Sequence, residues 1–205
     1  MSISGTTSYG IELTGSPILT TKQDVPLDIY YWYDYQCSFC KQFEMGDYAA
    51  LPQLVRNEVT NGTVRIVLLQ YPRYGPRSVT AAVMAKCLWG IVKDSNPERF
   101  WKWHHTVFKQ QTRDVGGAWV SRKSLLGYAR KITGIDARAV DQCMRQNRQQ
   151  IEADIRNERK RGKKEGFIQT PGFILYNPNT KRHVQMKGAQ PYPRFQYHIN
   201  ALLNQ

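Results

Sequence analysis

The sequence predicts an α/β fold in which a β-sheet core accepts an inserted block of helices. Three observations carry this. Two strand-like runs, Asp28-Ile29-Tyr30-Tyr31-Trp32-Tyr33 and Val64–Leu69, enclose a helix-like stretch. A long tract with helical periodicity follows, without strand signals. The β signal then returns at Phe173–Tyr176, ahead of a turn and a final amphipathic segment. The order is strand, helix, strand, several helices, hairpin, helix.

Residues 1–24 read as an irregular lead-in, rich in Gly, Ser and Thr and interrupted by Pro17. The first strand is dense in β-formers and too short and aromatic for a helix. A helix is expected from about Ser38 to Asn57, with a kink near Pro52. Asn61-Gly62 is a turn dipeptide, and Val64–Leu69, apolar except for Arg65, suits a buried strand that Tyr71-Pro72 ends. Val79, Val83, Cys87 and Ile91 make one stripe of the next helix. Pro97 suits the first position of another, whose apolar face is Phe100, Trp101, Trp103, Val107 and Phe108. Gly116-Gly117 marks a loop, and Leu125, Leu126, Tyr128 and Ala129 a short helix ended by Thr133-Gly134. Asp136 can cap a helix with the stripe Val140, Cys143, Met144, Ile151 and Ile155. Asn177-Pro178-Asn179-Thr180 is turn chemistry that lets Arg182–Lys187 pair back on Phe173–Tyr176. From Pro193 on, Phe195, Ile199, Leu202 and Leu203 share a helical face.

With 205 residues and 41% hydrophobic content the chain can bury a sizeable core. No apolar run approaches the ~20 residues of a membrane span. The polar start, residues 1–9, lacks the basic and apolar regions of an export signal, which fits a cytoplasmic chain or one whose export segment has been cut away. The net charge of +13 is uneven: from Arg122 to Lys164 there are 13 Lys and Arg against 5 Asp and Glu. Such a surface attracts polyanions. The plainer role of its densest part, Arg156–Lys164, is a solvated helix end whose cations complement the C-terminal dipole. No nucleic-acid-binding motif accompanies it, so nucleic acid is not the expected partner.

Cys37-Ser38-Phe39-Cys40 lies at the joint between the first strand and the following helix. A thiol at a helix start faces unsatisfied N–H groups and the positive end of the dipole, both of which favour thiolate. The thiolate is the nucleophile of disulfide exchange, so the pair reads as reactive. Zinc needs a second close pair of Cys or His. Cys87 and Cys143 stand alone, and His104-His105 are adjacent rather than at ligand spacing. No metal is therefore expected. A purely structural Cys37–Cys40 disulfide stays open. Asp34 could act on the thiolate, with capping or turn formation the plainer role. His104 and His105 sit among Trp and Phe, where packing is the simpler role.

The element order, with Asp34-Tyr35-Gln36-Cys37-Ser38-Phe39-Cys40-Lys41, Phe100-Trp101-Lys102-Trp103-His104 and Phe167-Ile168-Gln169-Thr170-Pro171-Gly172-Phe173, resembles the DsbA-like thiol–disulfide oxidoreductases. Their fold is the thioredoxin fold, a central mixed sheet flanked by helices, with an all-helical insertion. The resemblance implies a lead-in over 1–20, a core of 21–75 and 166–205, and an inserted subdomain of 76–165. It implies a cis Thr170-Pro171 bond facing the cysteines, Cys37 as the exposed attacking thiol and Cys40 as the resolving one. Thr170, Pro171 and Phe39 would meet an extended client segment in the manner of strand addition. It also implies a second, structural disulfide between Cys87 and Cys143. Ser38-Phe39 replaces the usual Pro or Gly followed by His, Tyr or Pro, so Phe39 supplies no charged partner to the thiolate. Gly172 stands where Thr, Ala or Ser is usual, an exchange expected to loosen the loop.

The implied activity is transfer of a disulfide to thiol-containing clients without metal or organic cofactor. A membrane quinone-linked partner of the DsbB or VKOR type would reoxidise the pair, on the periplasmic or cell-surface side where conditions are oxidising. Two alternatives remain at this point: a disulfide reductase or isomerase, and a basic binding module for nucleic acid, anionic lipid or a protein assembly with structural cysteines.

Overall fold

The computed structural model describes residues 5–13, 15–46 and 49–204. The expected polar start over 1–4, and the helix expected to run through 47–48, lie outside the described residues at those points.

Five strands form one mixed sheet: β1 (Ile18–Leu19), β2 (Leu27–Tyr33), β3 (Val64–Gln70), β4 (Gly172–Tyr176) and β5 (His183–Lys187), in the order β1-β3-β2-β4-β5. β2 pairs parallel with β3 and antiparallel with β4, while β1 and β5 pair antiparallel at the edges. All seven residues of β2 are buried, which is why it reads as an unbroken aromatic run without alternation. The irregular lead-in needs correction. Ile18 and Leu19 pair with Val67 and Ile66, an edge strand too short to leave a periodic signal.

The expected helix 38–57 is interrupted. Helix α1 (Ser38–Met45) ends at Gly46, whose backbone is extended (φ −76°, ψ 172°). The chain re-enters helix as α2 (Ala50–Leu54) and a π-turn over Val55–Val59. Pro52 sits in the first turn of α2, where no N–H is required, rather than inside one long helix.

The helices α3 (Pro76–Val92), α4 (Glu98–Gln110), α5 (Arg122–Arg130), α6 (Ala137–Gln146) and α7 (Arg148–Lys164) lie between β3 and β4 in the chain, and α8 (Tyr192–Leu203) closes it. The stripe expected on α3 does not hold to its end. Steps of four residues drift about 40° each round a 3.6-residue helix, and Ile91, three steps from Val79, emerges 38% exposed. Pro97 occupies the N-cap of α4 rather than its first turn. The single helix expected from Asp136 is two, because Asn147 leaves helical geometry (φ −105°, ψ 8°). The Asp136 carboxylate caps α6, accepting from Arg138 and Ala139 N–H at 2.9 and 3.1 Å.

α6 packs on α3, whereas α7 packs on both α3 and β3. Cys87 on α3 and Cys143 on α6 are joined by a disulfide, with Cα atoms 5.8 Å apart. α7 presses directly on the sheet: a Cβ at Gly162 would stand 2.9 Å from the Trp32 ring. Its Glu158 meets Lys86 at 2.6 Å, accepts from Gln70 N–H at 2.6 Å, and offers its carbonyl to the Trp32 indole at 2.9 Å. A partly buried carboxylate so held, with its own backbone carbonyl, ties the helical block to the sheet. The densest basic stretch forms the last turns of α7, where Arg159 and Arg161 lie over the Tyr71 and Tyr9 rings and Lys160, Lys163 and Lys164 face solvent.

Gly172 does not loosen its loop. It is buried at the start of β4, and a Cβ there would stand 2.7 Å from the Phe167 ring. The glycine is what lets Phe167 lie on the strand.

Two stability outcomes follow from this packing. Gly172→Ala should lower unfolding free energy by about 1–3 kcal/mol, read from the midpoint of a urea transition. Cys87→Ser with Cys143→Ser opens a closure spanning 56 residues and should cost about 2–5 kcal/mol in a non-reducing melt.

Candidate functional site

The site is built where β2 runs out. Tyr33 ends the strand, Asp34 and Tyr35 turn the chain, and Cys37 is the N-cap of α1 (φ −79°, ψ 118°). The Asp34 carboxylate makes the turn. It accepts from the N–H of Gln36 at 2.9 Å, of Arg73 at 2.6 Å and of Tyr74 at 3.4 Å, and from the Ser78 hydroxyl at 2.8 Å. Burial raises its pKa while those four donors oppose the rise. Asp34 is thus a turn residue that ties the cysteine loop to the start of α3. Two glutamines absent from the expected site complete the scaffold. The Gln36 amide donates to the Tyr74 carbonyl at 3.1 Å and to Ser78 at 2.8 Å. The Gln111 amide, from the end of α4, donates to the carbonyls of Tyr35 at 2.7 Å and Cys37 at 3.1 Å. Nothing local in the sequence marks Gln111, since its partners lie more than 70 residues upstream.

Cys37 and Cys40 are both free thiols. Cys37 differs from the expectation of an exposed thiol: the residue is 1% exposed. The sulfur lies beneath the Thr170-Pro171 segment, whose peptide bond is cis, and donates to the Thr170 carbonyl at 3.2 Å. The Tyr74 phenol pKa is raised by burial and then by the Cys37 charge. The two thiols titrate apart. Cys37 is lowered from 9.0 to about 6, first by the hydrogen bond from the Cys40 thiol, then by Thr170 and the N–H groups of Cys40 and Phe39, against the opposing effect of burial. Cys40 is pushed well above an ordinary thiol, chiefly by burial and then by the Cys37 sulfur. The expected helix-start effect is present, but the neighbouring thiol outweighs it.

Thr170 is buried, its hydroxyl without a hydrogen-bond partner among the described residues, and its carbonyl is held by Cys37. The Pro171 carbonyl is taken by Gly188 N–H at 2.8 Å. Two apolar side chains near the site in sequence are open to solvent: Phe39, between the cysteines, is 59% exposed, and Ile168, two residues before Thr170, is 80% exposed. Cys87 and Cys143 lie in the helical block, away from this loop. His105 faces solvent, whereas His104 is buried and hydrogen-bonded to Tyr35 and Glu44. Among the described residues no group of His, Cys, Asp and Glu is placed to hold a metal ion.

The thioredoxin family model matches residues 14–191. Disulfide bond formation protein D of Bacillus subtilis is 28% identical over 121 residues, 59% of this chain and 50% of that protein. The match therefore spans about half the length of that curated relative. Among solved structures, oxidised BdbD of B. subtilis superposes with a TM-score of 0.75 at 21% identity, covering 100% of this chain and 99% of that one. DsbA of Chlamydia trachomatis does so with a TM-score of 0.73 at 19% identity, covering 100% and 96%. The family model spans most of the chain and the superposed structures share its fold, so the chain belongs to the thioredoxin family, with the fold of these DsbA and BdbD structures.

Proposed function

We propose that the protein is a thiol–disulfide oxidoreductase that passes the Cys37–Cys40 disulfide to cysteine-containing client proteins. The observation that carries this is the separation of the two thiols: Cys37 acidified to about 6, Cys40 driven the other way. A stabilised thiolate makes Cys37 a good leaving group and favours the dithiol form, so the disulfide form tends to give its bond away. A client thiolate attacks the Cys37 sulfur of the disulfide and Cys40 departs with the electron pair. A second client thiol then attacks the mixed disulfide, leaving the client oxidised and Cys37 as thiolate. A curated relative, disulfide bond formation protein D of Bacillus subtilis, bears a compatible name.

Because the Cys37 sulfur is covered, client access requires the Thr170 side of the site to give way. A client N–H docking on the Thr170 carbonyl, which accepts from Cys37 in the dithiol form, engages one of the groups that cover the sulfur and so couples strand-like docking to access. Phe39, with Ile168, gives the client an apolar landing surface beside Pro171. The same reading divides the chain into a core of 21–75 and 166–205 and a helical subdomain of 76–165. It places the protein outside the cytoplasm, where a disulfide donor can stay oxidised, with a quinone-linked membrane protein of the DsbB or VKOR type as reoxidant. No helix of the described residues is long and apolar enough to cross a membrane.

Equilibration with glutathione buffers tests the direction of transfer. A potential more oxidising than about −200 mV supports the donor reading, and one near about −270 mV makes the protein a reductase. Cys40→Ser should accumulate a client mixed disulfide visible by mass, and Cys37→Ser should form none. The reduced protein should also respond to pH. Since its folded Cys37 is the stronger acid, its stability should rise between pH 6 and 9 by about 3–4 kcal/mol and be lost as pH falls through 6. The raised Cys40 value reverses that trend above the ordinary thiol range. Urea melts of reduced and oxidised protein across this window measure it, the oxidised form lacking the effect.

A further inference from the structure

Three cations meet beside the cis-Pro segment with no carboxylate to pair them. Arg159 and Lys163 stand four residues apart on one face of α7, and Arg73 joins them from the loop after β3. With Tyr71, Phe167 and Ile168 they line a groove of about 370 Å³. Two of these side chains are fixed: Tyr71 and Phe167 are buried, and the Tyr71 hydroxyl donates to the Phe167 carbonyl at 2.7 Å. The Arg159 guanidinium stands 5.7 Å from the centre of the Tyr71 ring, a contact that aims it and uses none of its N–H donors.

Two short links connect this groove to the reacting sulfur. Ile168 is two residues before Thr170, whose carbonyl accepts from Cys37 at 3.2 Å. The Arg73 N–H donates to the Asp34 carboxylate at 2.6 Å, and the Asp34 carbonyl accepts from the Cys37 N–H at 3.0 Å. A strand docked along Thr170 therefore passes the groove within a few residues of its own cysteine. The neighbouring carboxylates are already spent: Glu158 on Lys86 and the Gln70 N–H, Glu165 on Arg161 and the Tyr9 hydroxyl, and Asp34 on its four donors. Among the described residues Arg73, Arg159 and Lys163 form no ion pair. The dipole of α7 accounts for Lys163 in its last turn, but not for Arg73, which belongs to another element. A nucleic acid asks for cations spread along a track, whereas these three surround one space of side-chain dimensions.

We propose that this groove selects acidic clients, by accepting an Asp or Glu side chain that lies a few residues from the client cysteine. This rests on the oxidoreductase reading above and names the substrate class that reading leaves open. Arg73 and Arg159 carry forked N–H donors that suit a carboxylate, and Lys163 adds a point charge. The apolar wall of Tyr71 and Ile168 keeps water from one side of the pair, so it is worth more than a fully exposed contact. The exchange chemistry is untouched. The pairing acts on docking, so it raises the second-order rate at which the client thiolate reaches Cys37.

The test mixes the intact oxidised protein with reduced two-cysteine peptides that differ only in carrying Asp or Asn on both sides of the first cysteine. Each rate is divided by that peptide's rate with uncharged dithiodipyridine, which removes the effect of the acidic neighbours on the peptide thiol itself. The wild-type ratio should favour the Asp peptide by about tenfold at low salt. It should shrink several-fold in about 1 M salt, where charges are screened beyond about 3 Å. Arg159→Gln with Lys163→Gln should bring the ratio close to one, and Arg73→Gln alone should lower it. Lys160→Gln with Lys164→Gln removes the same charge from α7 outside the groove and should keep most of the preference. A wild-type ratio near one overturns the proposal. So does an equal loss in the Lys160 and Lys164 variant, which would make net charge the cause. Vesicles of phosphatidylglycerol binding through Arg159 and Lys163, without any peptide preference, would make the groove a headgroup site and overturn it too. Oxidation of both peptides at one rate sinks this proposal alone, whereas oxidation of neither sinks the oxidoreductase reading with it.

Discussion

The Cys37 sulfur has to carry negative charge at a place the fold keeps almost free of water, and the architecture around it is arranged to meet that demand. A buried anion without donors would simply take up a proton. Here the Cys40 thiol and the first N–H groups of α1 converge on the sulfur and overcome the effect of burial. None of these donors is costly to aim, because one helical turn presents them together. The thiol that donates is itself made less acidic by giving its hydrogen away, so one contact pulls the pair apart in both directions.

Holding that turn in place is a longer-range matter. Asp34 binds the end of β2 to the start of α3, and Gln111 pins the same loop to the end of α4. The helical block is therefore part of the scaffold of the cysteine loop. It is in turn fastened to the sheet by Glu158 and by the close seat of Gly162 on Trp32. A change in the helical block can reach the cysteines through these ties without touching them.

Cover over the sulfur separates storing a reactive thiol from using it. The Thr170 carbonyl meets the Cys37 sulfur, while Phe39 between the cysteines and Ile168 before Thr170 are exposed. On the proposed reading, a client that brings an apolar side chain and a free N–H would compete for the groups that close the site, which ties access to the shape of the client as well as to its thiol.

The sequence by itself determined what neighbours along the chain can decide. The CxxC pair falls at a strand-to-helix joint because aromatic β-formers stop at Asp34. Asp136 caps α6, and Asn177 begins the turn of the last hairpin, because each serves N–H groups two or three residues away. Tertiary structure decided whatever depends on partners far off in the chain. Ile18 and Leu19 became strand only by meeting β3, and Gly172 proved to be a seat for Phe167. Cys37 was covered by a segment 133 residues downstream. The partner of His104, Glu44, lies 60 residues away, a pairing no local pattern reports. Periodicity and capping report which face a side chain takes, whereas burial of a charge depends on donors that only the closed fold brings near.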